Sequence, residues 1–226
     1  MKTKATITML LTLALCFGTV SNTMAKGAKE SAKTEKKALY QKKYTNKDYY
    51  TNGQFNKEVA MKAMKDMFAF YGVPFTKFMA ENMWVTDFGL GDFENIGMGG
   101  IFYVNDAEHN VFGHEIYLLP NQMIAEHCHV ASDYPAKHEA GLVRYGGGYN
   151  FCIGEPTPNA PKLPESQKNF ITLKHFDVKK AGDMVYLSKI ETKHFLYAGP
   201  HGMIVTEFGT FHDNAGLRFS NPGVKF

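Results

Sequence analysis

Hydrophobic and polar positions follow two different rhythms along this chain. Between Asn56 and Gly72, the residues Val59, Met61, Ala63, Met64, Met67, Phe68 and Tyr71 recur at mixed three- and four-residue spacings, the period of an amphipathic helix. Asn56 supplies an N-cap and Gly72-Val73-Pro74 a stop, because glycine accepts the left-handed cap conformation and proline cannot continue a helix. Thr76 to Asn82 predicts a second, shorter helix. The methionines at 61, 64 and 67 lie on the apolar face and read as packing.

After Met83 the rhythm changes to short β-rich runs. The strands it predicts are Ile101–Val104, Glu115–Leu119, Met123–Glu126, Leu142–Arg144, Tyr149–Ile153, Phe170–His175, Met184–Leu187, Phe195–Ala198 and Met203–Phe208. Turn chemistry separates them at Asn105-Asp106, Pro120-Asn121, Gly146-Gly147-Gly148, Ala181-Gly182-Asp183 and Gly199-Pro200-His201-Gly202. Many short strands with no helices between them predict a mainly β fold, an antiparallel sandwich or barrel with an N-terminal helical extension. The triple glycine reads as a hairpin turn and not as a phosphate cradle, since no helical pattern follows it. Residues 154–168, with four prolines, form a surface loop.

The first 25 residues carry a different pattern. Lys2 and Lys4 precede an apolar run from Ile7 to Val20 and the small-residue site Thr23-Met24-Ala25, the form of a secretory signal peptide too short to span a membrane comfortably. The mature chain is then expected to begin at Lys26 and to be periplasmic or secreted. Residues 26–50 hold eight lysines and no hydrophobic period, which predicts a flexible basic arm ahead of a domain over 51–226, its helices near 55–82.

Charge sharpens this division. The chain of 226 residues has a net charge of +3, yet residues 51–226 hold 15 basic against 19 acidic side chains. The basic character belongs to the arm, so nothing in the body favours nucleic acid. Loss of the leader removes Cys16 and leaves Cys128 and Cys152, too few for a disulfide scaffold.

The candidate chemistry is imidazole and carboxylate. His127 and His129 flank Cys128; on a strand the two rings share one face and the thiol takes the other. Such a pair suits a divalent transition metal. Glu139 follows ten residues after His129, and His194 stands beyond Ala181-Gly182-Asp183. This order resembles the two-part signature of the cupin barrels, and the resemblance implies His127, His129, Glu139 and His194 as ligands to one divalent metal ion (Mn, Zn, Co, Ni or Fe). Three departures accompany it: Asn121 stands where cupins usually have glycine, the interval from His129 to Glu139 is longer than usual, and the second motif lacks its Pro-x-Gly.

A narrower resemblance covers residues 84–219. Trp84-Val85-Thr86-Asp87-Phe88-Gly89-Leu90-Gly91-Asp92-Phe93, Leu119-Pro120-Asn121-Gln122, Lys137-x-Glu139, Gly146-Gly147-Gly148, Glu207, Asp213 and Arg218-Phe219 are similar in kind and order to the D-lyxose isomerase family of cupins. The resemblance implies an aldose–ketose isomerase acting on a free sugar of the lyxose or mannose kind, by proton transfer between C1 and C2. It implies Lys137, Glu207 and Asp213 as acid–base groups, with Arg218 orienting sugar hydroxyls or supporting a carboxylate. His114 stands where the family tends to place a lysine, and His212 where an amide is expected; imidazole moves protons nearer neutrality but offers no permanent cation. His109, His138, His175 and His201 have no supporting context and read as structural or exposed. The alternatives to an isomerase are a metal-dependent cupin oxygenase and a non-catalytic sugar-binding cupin of the cell envelope. Barrels of this class often pair through edge strands, so a homodimer is expected.

Overall fold

The computed structural model describes residues 39–226; the leader and the first part of the basic arm lie outside the described residues. In chain order the elements are α1 (Asn46–Tyr49), β1 (Tyr50–Thr51), β2 (Gln54–Phe55), α2 (Lys57–Tyr71), α3 (Lys77–Asn82), β3 (Trp84–Thr86), β4 (Met98–Asp106), β5 (Val111–Leu118), β6 (His127–His129), β7 (Glu139–Cys152), β8 (His175–Lys180), β9 (Met184–Tyr186), β10 (Phe195–Gly209) and β11 (Leu217–Phe219). Among the described residues no helix is long and apolar enough to cross a membrane.

Both predicted helices form with the expected caps. The Asn56 side chain accepts from the Val59 amide, and Gly72 closes α2 in the left-handed region at φ 70°. Thr76 caps α3 by accepting from the Met79 amide. The buried side of α2, including Ala63, Met64, Met67 and Phe68, packs with Tyr117 and Ile204 in one core cluster, so its methionines are packing residues as read. The described part of the arm departs from the expectation of a solvated linker. Tyr40 and Tyr49 are each 2% exposed, and Tyr50 donates to Asp87 at 2.7 Å, because aromatic side chains at these positions have an apolar helix face to cover.

The barrel is an antiparallel sheet in the order β3-β4-β5-β10-β7-β8, with β9 also pairing β7, and a separate β6–β11 pair. It surrounds a second core that includes Met98, Ile116, Val143, Phe151, Phe195 and Val205. Two expected turns prove to be interior to long strands. Gly146-Gly147-Gly148 and Gly199-Pro200-His201-Gly202 do not end strands: β7 and β10 run through them and pair along their length, with register shifts at Ala198/Met203 and Ile204/Val205. A Cβ on Gly146, itself at φ 69°, would lie 2.0 Å from the Gly202 carbonyl oxygen, so the glycines permit two bulged backbones to approach closely.

Two strand predictions fail. Met123–Glu126 contributes only two isolated bridges, both at Met123, to Ile96 and Tyr197, and the strand that follows is β6. Phe170–His175 is irregular until His175, because the Thr172 and Leu173 amides donate to the buried Glu126 carboxylate at 3.0–3.1 Å instead of to a neighbouring strand. Asn121 adopts φ 58°, a left-handed conformation that asparagine tolerates better than most residues, so its departure from glycine leaves the turn intact.

Candidate metal centre

Three backbone segments bring imidazoles together. In β6 the alternation of a strand sets His127 and His129 on one side and Cys128 on the other, and β11 pairs as Leu217 with His129, Arg218 with Cys128 and Phe219 with His127. His194, just before β10, exchanges both backbone hydrogen bonds with His127, at 2.8 and 3.2 Å. The His127 ring centroid is 4.4 Å from that of His194 and 5.1 Å from that of His129. One nitrogen from each of the three rings lies within 4.8 Å of the others.

Their orientation is set from behind. His127 Nδ1 is 2.9 Å from the Ala125 carbonyl and His194 Nδ1 is 3.0 Å from the Thr192 carbonyl. A carbonyl only accepts, so each Nδ1 carries a proton and each Nε2 is turned to the centre. Glu139 enters from the start of β7, with its oxygens 2.7 Å from His194 Nε2 and 3.4 Å from His129 Nε2. His194 Nε2 makes no hydrogen bond despite that approach. The donors crowd a common point without pairing in line, which is how ligands stand around a cation. Burial drives the His127 pKa down to about 3 and that of His129 to about 2, which keeps both lone pairs available. Burial also lowers His194, but Glu139 outweighs it and the pKa is raised. Burial by itself would raise the Glu139 carboxyl; Lys137 and His194 hold it well below the usual carboxylate range.

A second cluster adjoins the first. Lys137 Nζ is 2.7 Å from Glu139 and also hydrogen-bonds Glu207. Glu207 on β10 stands directly opposite His114 on β5, and its other oxygen is 2.9 Å from His114 Nδ1. Burial lowers the Lys137 pKa, but the two carboxylates outweigh it and keep the ammonium charged. Trp84 stacks on the His114 ring at 5.6 Å, and Phe102 meets it edge-on at 4.8 Å. His114 Nε2 is buried with no partner. His212 lies against Phe112, and burial pushes its pKa down. All of these groups line one small chamber of about 80 Å³, whose remaining wall is apolar and includes Met98, Ile116, Phe219 and Phe226.

No protein-family model matches the chain. Curated relatives do. It is 35% identical over 147 residues to a D-lyxose/D-mannose isomerase of Thermosediminibacter oceani, a match covering 64% of this chain and 80% of the relative. It is 34% identical over 147 residues to a D-lyxose ketol-isomerase of a Thermofilum species, with the same coverage. The chain belongs to the D-lyxose isomerase family. Its fold is shared with an L-ribose isomerase crystal structure from Cellulomonas parahominis, at 14% identity and a TM-score of 0.57 over 74% of this chain and 92% of that one. The L-ribose isomerase of Acinetobacter sp. DL28, solved with L-ribose, gives 16% identity and a TM-score of 0.55 over 74% and 90%.

After β3, the rest of the decapeptide Trp84–Phe93 is a turn wrapped around Asp87. That carboxylate accepts from the Gly89 and Gly91 amides at 2.9 and 3.2 Å, with Phe88 at φ 55° and Gly89 at φ 68°. Seven of the nine site residues read from the sequence (His114, His127, His129, Lys137, Glu139, His194 and Glu207) line the chamber; Asp213 and Arg218 do not. Asp213 caps a 3₁₀ turn, accepting from the Ala215 amide at 3.0 Å and from the Ser132 hydroxyl. Arg218 lies opposite Cys128, on the strand face away from the imidazoles, and donates to the Ala215 and Leu217 carbonyls. In the aromatic wall of Phe102, Phe112, Phe219 and Phe226, Phe112 and Phe226 had no signal in the sequence, because phenylalanines in a β-rich chain carry no mark separating a chamber wall from core.

Proposed function

We propose that this protein is a metal-dependent aldose–ketose isomerase of a free monosaccharide of the lyxose or mannose kind. The observation that supports this most directly is the placement of a buried carboxylate, Glu207, with Lys137 on one oxygen and His114 Nδ1 on the other, in the same chamber as three convergent imidazoles and the Glu139 carboxylate. His127, His129, His194 and Glu139 would hold the ion, which when bound acts as a Lewis acid toward vicinal sugar oxygens. Glu207 takes the C2 proton and returns it to C1. Lys137 and His114 each fix one oxygen of that carboxylate, and Lys137 presents a permanent cation to the charge that develops on the sugar oxygens. The apolar wall limits water around the exchanged proton, and the small chamber favours a ligand with few heavy atoms. Export and pairing into a homodimer belong to the same proposal.

The test is incubation of metal-loaded protein with a panel of free aldoses in D₂O, followed by NMR. Metal-dependent ketose formation with deuterium entering the sugar is the expected result. His127→Ala and Glu139→Ala should each abolish metal retention and turnover together. Absence of ketose across pentoses and hexoses would refute the assignment, and oxygen consumption with iron would point to oxygenase chemistry instead.

A further inference from the structure

A second set of metal-type donors lies away from the chamber. Strand β8 pairs with β7 so that His175 is opposite Cys152 and Asp177 is opposite Asn150. Phe151 and Phe176 point into the core, so Cys152, His175 and Asp177 project from the other face of the sheet. One donor atom from each of these three lies within 4.8 Å of the others. Nothing in the isomerase reading uses them, and His175 had no supporting context along the chain.

We propose that Cys152, His175 and Asp177 form a second, separate site for a borderline-soft divalent ion such as Zn²⁺. The imidazole is already turned for ligation. His175 Nδ1 is 2.8 Å from the Glu155 carbonyl and 3.1 Å from the Thr157 hydroxyl; the carbonyl requires the proton on Nδ1, which leaves the Nε2 lone pair free. That nitrogen is 3.9 Å from Asp177 Oδ1, too far for a hydrogen bond and close enough for both to reach one ion after a small side-chain rotation. Lys179 Nζ holds the other Asp177 oxygen at 3.4 Å, which steadies the carboxylate without occupying Oδ1. Gly154 gives the ring its place, since a Cβ there would lie 2.6 Å from His175 Cγ. A thiolate, an imidazole and a carboxylate together select Zn²⁺ or Co²⁺ over Mg²⁺ or Ca²⁺.

The same three residue types also make nucleophilic triads, but this geometry is wrong for one. A triad needs Nδ1–H on the carboxylate and Nε2 on the thiol, whereas here Nδ1 is spent on the backbone. Burial also pushes the Cys152 thiol pKa up, away from a reactive thiolate. Cys152 and His175 bracket the loop 153–174, so an ion at this position ties both ends of that loop to the sheet.

The experiment is a titration of chelator-treated full-length protein with Co²⁺ alone, read by absorption. A thiolate-to-cobalt charge-transfer band in the near ultraviolet, displaced by Zn²⁺, is expected. Cys152→Ser should abolish the band, and Asp177→Asn should weaken Co²⁺ binding at this site roughly tenfold. Cys128→Ser should retain the band. So should His127→Ala, which removes a ligand of the chamber and makes the outcome independent of the isomerase proposal. No band with Co²⁺ in large excess, or a band that survives Cys152→Ser, overturns the second site.

Discussion

Glu207 is gripped from two sides, by Lys137 on one oxygen and by His114 Nδ1 on the other. The His114 Nε2 is buried without a partner. In the proposed function His114 positions the base, Glu207, through Nδ1. His114→Asn should therefore lower kcat by about 10²-fold, the smaller end of a general acid–base contribution, while leaving KM nearly unchanged in steady-state kinetics. His194 sets a different pH dependence. Against burial, Glu139 raises its pKa, so a proton on His194 competes with ligation up to higher pH than one on His127 or His129, which burial keeps neutral until strongly acid pH. Metal affinity should fall about tenfold per unit as the pH drops below the His194 pKa and level off above it. Calorimetry in buffers of different ionisation enthalpy should count about one proton released per ion over the falling range.

At the scale of elements, a turn and a bulge can share the same residues. Gly146-Gly147-Gly148 looks locally like the end of one strand and the start of another, since glycine supplies positive φ wherever a chain reverses. The outcome was decided by β10, which runs alongside β7 from both sides of the glycines. Gly146→Ala meets strain at φ 69° and a backbone oxygen 2.0 Å from the new Cβ. It should cost about 3 kcal/mol or more, since strained backbone and overpacking act together, and thermal unfolding would show it as a large loss of Tm. By contrast α2 was readable in full, because the Asn56 cap, the apolar stripe and the Gly72 stop are local signals that agree with one another.

The whole molecule is held together around the site by Glu126, which has no ligand role. Its carboxylate accepts from the Thr172 and Leu173 amides and from the Thr172 and Ser220 hydroxyls, and its side chain is 1% exposed. It thereby joins the segment before β6 to the loop before β8 and to the chain just after β11. Glu126→Ala removes a buried carboxylate that accepts several hydrogen bonds from half-buried and exposed donors, so a loss of about 2 kcal/mol is expected. Hydrogen exchange should speed up in 170–173 and β11, and metal affinity should fall although Glu126 is not itself a ligand. The sequence alone determined the helical extension, the β-rich body, and the pairing of His127 with His129, because helix period, strand alternation and caps act over a few residues. The order of Glu139, His194, Lys137 and Glu207 along the chain was also legible through its likeness to a family. Only the tertiary structure decided that Asp213 caps a turn and that Arg218 faces away from the imidazoles, since the face of a three-residue strand depends on its partner. It alone set His175 beside Cys152, through a register between strands separated by a long loop. Cross-strand register is a property of distant segments meeting, and no local pattern encodes it.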